Sequence, residues 1–157
     1  PALHKKGVQI HFPGDRSRLS KGVTDGLLAA EALTANNSKL ILNVCFNYGG
    51  RWDICQAASR LQAEGLPITE ETMRQKMALA HVPDPDLFIR TGGEMRVSNF
   101  LIWQMAYAEF YFSSVLWPDF GAEELDVALA AYQRRERRFG LTSEQLKSES
   151  SEMKADC

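Results

Sequence analysis
Apolar and polar positions along this chain fall into short blocks whose repeat switches between two residues and about 3.6. Residues 8–12 (VQIHF) form a β-rich run closed by Pro13-Gly14-Asp15, which predicts a strand followed by a turn. From Ser20 to about Leu33 the composition is helical, and Asn36-Asn37 stops it. Residues 39–46 (KLILNVCF) are nearly all apolar, the pattern of a parallel strand covered on both faces. Gly49-Gly50 breaks that run. Residues 52–64 then read as an amphipathic helix, with Ile54, Ala57, Ala58 and Leu61 on one side.

The second half repeats the rhythm. Thr69 and Thr72 mark a weaker helix start, and Met73, Met77 and Ala80 carry that helix to about Leu79. Pro83 and Pro85 predict a loop, residues 86–90 (DLFIR) a strand, and Gly92-Gly93 a turn. A helix rich in Trp103, Met105 and Tyr107 is expected from about Asn99 to Tyr107, then a strand over residues 110–112 and a final amphipathic helix over 123–138. The polar residues 141–157 read as a disordered tail. Alternating short strands and helices predict an α/β fold, a parallel sheet of about four strands flanked by helices.

The start of the chain adds to this. It opens PALHKKG, and Leu3, His4, Lys5 and Lys6 before Gly7 have the cationic end and glycine cap of a helix's last turn. On that reading the chain is the C-terminal part of a larger domain, residues 1–140 belonging to it, with further strands preceding Pro1.

Composition mostly excludes. The chain has 157 residues, Lys plus Arg 18 and Asp plus Glu 20, for a net charge of −2. That balance offers no footprint for nucleic acid. No apolar run approaches a spanning helix, and no basic-then-apolar leader is present. Cys45, Cys55 and Cys157 are odd in number and widely spaced, which disfavours a disulfide scaffold and points to a reducing, cytoplasmic setting. His4, His11 and His81 show no metal-ligand spacing.

In open parallel sheets ligands collect at the carboxyl ends of strands. Two such ends stand out, residues 46–51 (FNYGGR) and 89–100 (IRTGGEMRVSNF). In the second, Arg90 ends the strand, Gly92 and Gly93 let the backbone approach a ligand, and Arg96 and Ser98 precede the expected helix start. Two guanidiniums and a hydroxyl suit a diphosphate. The plainer alternative is a salt-bridged loop in which Glu94 pairs Arg90 or Arg96. Glu109, at the edge of the aromatic strand, is a hard oxygen ligand suited to Mg²⁺ if it faces the crevice, and otherwise a solvated or paired carboxylate. Arg134, Arg135, Arg137 and Arg138 are explained by the C-terminal end of the last helix.

The block DPDLFIRTGGEMRVSNFLIWQMAYAEFYFSSVLWPDF resembles the signature block of the cis-prenyltransferases, on the side of the bacterial undecaprenyl diphosphate synthases. NYGGRWDI resembles that family's preceding block and RRERRFG its closing helix, so the resemblance runs from about Gly7 to Gly140. It implies a Mg²⁺-dependent transferase that condenses isopentenyl diphosphate onto farnesyl diphosphate, giving the lipid-carrier precursor of the bacterial cell wall. It further implies that Arg90, Arg96 and Ser98, with Val97 backbone, hold the diphosphate of isopentenyl diphosphate, and that Glu109 is associated with Mg²⁺. Met95 stands where some relatives have histidine. The family's Asp-Gly-Asn loop, which serves the metal and the allylic diphosphate, does not occur here, so no catalytic residue is expected in this chain and the chain alone is expected to be inactive. The alternative is a non-catalytic partner subunit. The resemblance also implies a homodimer and a peripheral membrane contact for product release.

Overall fold
The structure, a computed structural model, describes residues 1–135. The tail expected over 141–157, and Arg137, Arg138 and Cys157, lie outside the described residues. The chain divides into two compact units. The first is Pro1–Pro83 together with Val97–Trp103. The second is Asp84–Arg96 together with the residues from Gln104 onward.

In the first unit a short helix α1 (Ala2–Lys5) leads through Gly7, at φ 75°, into β1 (Val8–His11). Ser20 caps α2 (Lys21–Thr34) by accepting the Val23 N–H, as serine does at helix starts. β2 (Leu40–Asn43) then pairs parallel with β1, with Val8 opposite Leu40 and His11 opposite Asn43. It is not covered on both faces as expected, since Leu40 and Ile41 are exposed. α3 (Gly50–Ala63) and α4 (Glu70–Lys76) supply the core. Ala57 and Leu61 are fully buried against Met73 and Met77, with Ile54, Ala58 and Trp103 packed around them. Full burial of one such aliphatic side chain stabilises by about 1.5–3 kcal/mol.

The second unit holds β3 (Leu87–Arg90) and β4 (Glu109–Phe112), again parallel, with Phe88 opposite Phe110. Phe88 packs edge-on to Phe110 and Phe112, the geometry that ring quadrupoles favour. A 3-10 turn (Trp117–Asp119) precedes α5 (Ala122–Gln133), where Ala128 is fully buried. The fold is thus parallel strand pairs flanked by helices, as expected. The four described strands form two separate pairs, β1–β2 and β3–β4, rather than one sheet.

Three expectations need correction. α4 stops at Lys76 rather than near Leu79, because the next backbone groups are taken by tertiary bonds. The Ala78 N–H donates to the Asp53 carboxylate at 2.8 Å, and the Lys76 carbonyl accepts from Gln56 at 3.0 Å. The last helix ends at Gln133, with Arg134 as its cap; the expected residues 136–138 lie outside the described residues. The helix expected over 99–107 is absent, and this stretch runs as turns. Ser98, Asn99 and Leu101 have φ of 46°, 63° and 39°, left-handed values that cannot seed a right-handed helix.

Candidate functional site
Each expected site residue has a defined place. Arg90 is the last residue of β3. Its guanidinium donates to the backbone carbonyl of Arg96, which closes the intervening loop on itself. The Arg96 guanidinium pairs with the Glu94 carboxylate, and both side chains remain largely open to solvent. The loop is therefore the salt-bridged one, with two guanidiniums held on it. An exposed pair of this kind contributes little stability, about 0–1 kcal/mol, so an incoming anion can replace Glu94 at small cost.

The glycine turn differs from expectation. Gly92 and Gly93, at φ 84° and 76°, do turn the chain, but their N–H groups donate to the carbonyls of Val115 and Ser113 at 2.8 Å. They tie the turn to the segment that follows β4 and are not presented to a ligand. Nor do Arg96 and Ser98 precede a helix, since none begins there.

Glu109 opens β4 rather than lying before it. Its carboxylate accepts from Arg135 at 2.6 Å, so the half-buried Glu109 is the paired carboxylate of the plainer alternative. Among the described residues no three His, Cys, Asp or Glu side chains gather as a metal cluster.

Val97 and Ser98 belong to the first unit, and here the structure brings together the two strand-end motifs that stood apart in the sequence. The Asn99 carbonyl accepts the Gly50 N–H at 2.7 Å, and its side-chain oxygen accepts the Arg51 N–H at 2.9 Å. These are donors at the start of α3, whose own N-cap, Gly49, has no side chain to bond them. Phe100 packs edge-on to Tyr48 at 6.0 Å. A Cβ on Gly49 would lie 2.7 Å from the Asn99 amide nitrogen, and one on Gly50 2.8 Å from Ile102. Gly49-Gly50 is thus less a strand breaker than a landing surface for residues 99–102.

Asp53 and the contact between His11 and His81 escaped the sequence reading. Asp53 is fully buried and accepts from the Tyr48 hydroxyl (2.7 Å), Gln56 (2.9 Å) and the Ala78 N–H. The available signal was its spacing, since Asp53, Ala57 and Leu61 recur every four residues on the buried stripe of α3. His11 and His81, distant in sequence, meet with ring centroids 4.2 Å apart and planes tilted by 40°, and His81 Nε2 bonds the Asn43 side-chain oxygen at 2.8 Å. Burial, then the neighbouring His11, lower the His81 pKa. A depressed histidine stabilises the folded state fully above its unfolded pKa, near 6.5, and this is lost as pH falls below that value. Melting midpoints are expected to fall between pH 7.5 and 5.5, and His81→Gln should flatten that slope; an unchanged slope in the variant would assign it elsewhere. Glu31 and Asp15 stay ionised in this window. Burial alone would raise the Glu31 pKa, but the Arg16 hydrogen bond and the Phe12 N–H outweigh it. Hydrogen bonds from Ser17 lower that of Asp15. Cys45 is no nucleophile, because burial and then the Asp53 carboxylate push its thiol up to about 11.

Comparison with known proteins agrees with this architecture. Residues 1–140 match a family model described as "Putative undecaprenyl diphosphate synthase". The chain is 56% identical over 145 residues to an isoprenyl transferase of Neisseria gonorrhoeae, covering 92% of this chain and 58% of that protein. It is 48% identical over 159 residues to a ditrans,polycis-undecaprenyl-diphosphate synthase ((2E,6E)-farnesyl-diphosphate specific) of Xanthomonas campestris, covering 96% and 61%. Among solved structures it superposes on a probable undecaprenyl diphosphate synthase of Campylobacter jejuni, with TM-score 0.83, 36% identity and coverage of 88% and 65%. A lavandulyl diphosphate synthase of Lavandula x intermedia, in complex with dimethylallyl diphosphate, gives TM-score 0.80, 39% identity and coverage of 85% and 60%. The chain belongs to the undecaprenyl diphosphate synthase family of prenyltransferases. It spans about three fifths of the length of these curated relatives. No helix among the described residues is long and apolar enough to cross a membrane.

Proposed function
We propose that this chain carries the isopentenyl-diphosphate half-site of a cis-prenyltransferase that extends farnesyl diphosphate to undecaprenyl diphosphate. The observation behind this reading is the loop closed by Arg90 on the Arg96 carbonyl, which keeps two guanidiniums on one short segment. Arg90 and Arg96 offer planar, bidentate donors to phosphoryl oxygens, with Glu94 as the internal partner that the diphosphate displaces. Ser98 adds a hydroxyl and Val97 its backbone. Their contribution is orientation: the alkene of isopentenyl diphosphate is held for attack on the allylic carbon as diphosphate departs and a proton is lost.

Glu109 has the hard oxygens that suit Mg²⁺, and as one carboxylate held by Arg135 it fits the metal only with further oxygens from substrate and water. When bound, Mg²⁺ stabilises the negative charge on the departing diphosphate. In this reading Glu109 would be the residue that holds the metal, in place of its present partner Arg135. The exposed Tyr107, Leu116 and Trp117 provide apolar surface for pairing with a second copy.

Calorimetric titration with isopentenyl diphosphate tests the half-site. Arg90→Ala or Arg96→Ala should weaken binding at least about tenfold, since a lost charge-assisted bond removes roughly 1.5–3 kcal/mol. Unchanged affinity in both variants would overturn the assignment.

A further inference from the structure
We propose that Asn99 is a positioning residue that sets the Val97-Ser98 segment by clamping it to the start of α3, with Gly49 and Gly50 as the surface that receives it. This rests on the half-site proposed above. Asn99 bonds α3 twice, once through its backbone carbonyl and once through its side chain, and thereby satisfies two consecutive N–H groups, those of Gly50 and Arg51. Its φ of 63° lies in the left-handed region, where asparagine is among the few side chains tolerated. Ser98, at φ 46°, is held in the same region directly before it. Isolated left-handed residues are strained and persist only where their surroundings fix them.

Those surroundings are all in the first unit. Phe100 leans on the Tyr48 ring, whose hydroxyl is fixed by the buried Asp53. Ile102 lies on Gly50 with no room for a Cβ, and Trp103 packs on the Ala57–Leu61 core. Residues 99–103 are therefore bound to α3 and its approach by two hydrogen bonds and three packing contacts. Ser98 has no freedom to turn without breaking them. A diphosphate ligand then meets a hydroxyl already placed, and little ordering is left for binding to impose. The clamp touches no substrate. It acts through Ser98.

The test uses two variants that attack the clamp from opposite sides. Asn99→Gly keeps the left-handed backbone and its carbonyl but removes the side-chain acceptor of Arg51 N–H. Gly50→Ala leaves Asn99 intact and pushes residues 99–102 outward through Ile102. Hydrogen exchange at the Arg51 amide should accelerate at least tenfold in Asn99→Gly, which reports loss of the clamp without any ligand. Calorimetry should then show isopentenyl diphosphate bound five- to tenfold more weakly by both variants. Inorganic diphosphate, which meets the same hydroxyl, should lose affinity by a similar factor. Faster exchange with undiminished affinity in Asn99→Gly would overturn the positioning role, leaving Asn99 as a helix cap alone. Should Gly50→Ala fail to fold, Asn99→Gly decides by itself. Arg96→Ala separates the two proposals. If it abolishes binding while Asn99→Gly leaves it intact, only the clamp fails. If the unsubstituted chain binds no isopentenyl diphosphate, the half-site reading fails.

Discussion

Replacing Gly14 by alanine is expected to lower stability by about 3 kcal/mol or more, and the melting midpoint by roughly 10 °C. Gly14 follows β1 at φ 145°, a backbone conformation that L side chains rarely adopt. A Cβ there would sit 1.8 Å from the carbonyl oxygen of Phe46 and 2.9 Å from its carbon. Both are backbone atoms and cannot swing aside as a side chain could. The two exits are also tied to each other, by Phe46 N–H to the Pro13 carbonyl (2.9 Å), Asp15 N–H to the Asn47 carbonyl (3.1 Å) and the Asn47 side chain to the Asp15 carbonyl (2.7 Å). Alanine must pry these apart. Gly22, with open space around it, is the control, and its alanine variant should melt no lower than the unsubstituted chain. A Gly14→Ala variant melting within a degree or two of the unsubstituted chain would refute the close approach.

Asp53→Ala is expected to cost about 3–5 kcal/mol, because it strands three donors at once. The Tyr48 hydroxyl, the Gln56 amide and the Ala78 N–H all converge on this carboxylate, which has no exposure of its own. Asp53→Asn keeps one side-chain oxygen to accept but offers an amide where a second donor points, so it should recover only part of the loss. Denaturant unfolding measures both. Equal stability of Asp53→Ala and the unsubstituted chain would show that water replaces the carboxylate without cost.

The strands and the large helices were legible because each carries its own period. The apolar run through Leu40, Ile41 and Leu42 marked a strand, although Leu40 and Ile41 are exposed rather than covered on both faces, and the stripe of Ile54, Ala57, Ala58 and Leu61 marked one helix face. Failure came where tertiary bonds override local pattern. Residues 99–107 have the composition of a helix, yet Asn99 serves another helix's N-terminus and takes a conformation that prevents its own. Backbone bonds to Val115 and Ser113 likewise claim Gly92 and Gly93, which sequence alone left available to a ligand. Arg90, Arg96 and Glu109 were found as residue types in a spacing. Their present partners, the Arg96 carbonyl, Glu94 and Arg135, were partly foreseen, since Glu94 lies within reach along the chain while Arg135 is 26 residues from Glu109.

The cap on α3 also bears on the order in which the protein can acquire its structure. Arg51 and Asn99 are separated by 48 residues, so during synthesis the start of the helix is made well before its cap exists. Closing a loop of that size costs entropy that no local contact repays in advance, and such non-local closures slow folding. Until it closes, the N-terminal turn of α3 has two amides satisfied only by water, and the Ala57–Leu61 core lacks Trp103. A nascent chain ending before Asn99 would hold α3 frayed at the end where NYGGRW begins. The first unit becomes complete only after the opening stretch of the second, Asp84–Arg96, has been made.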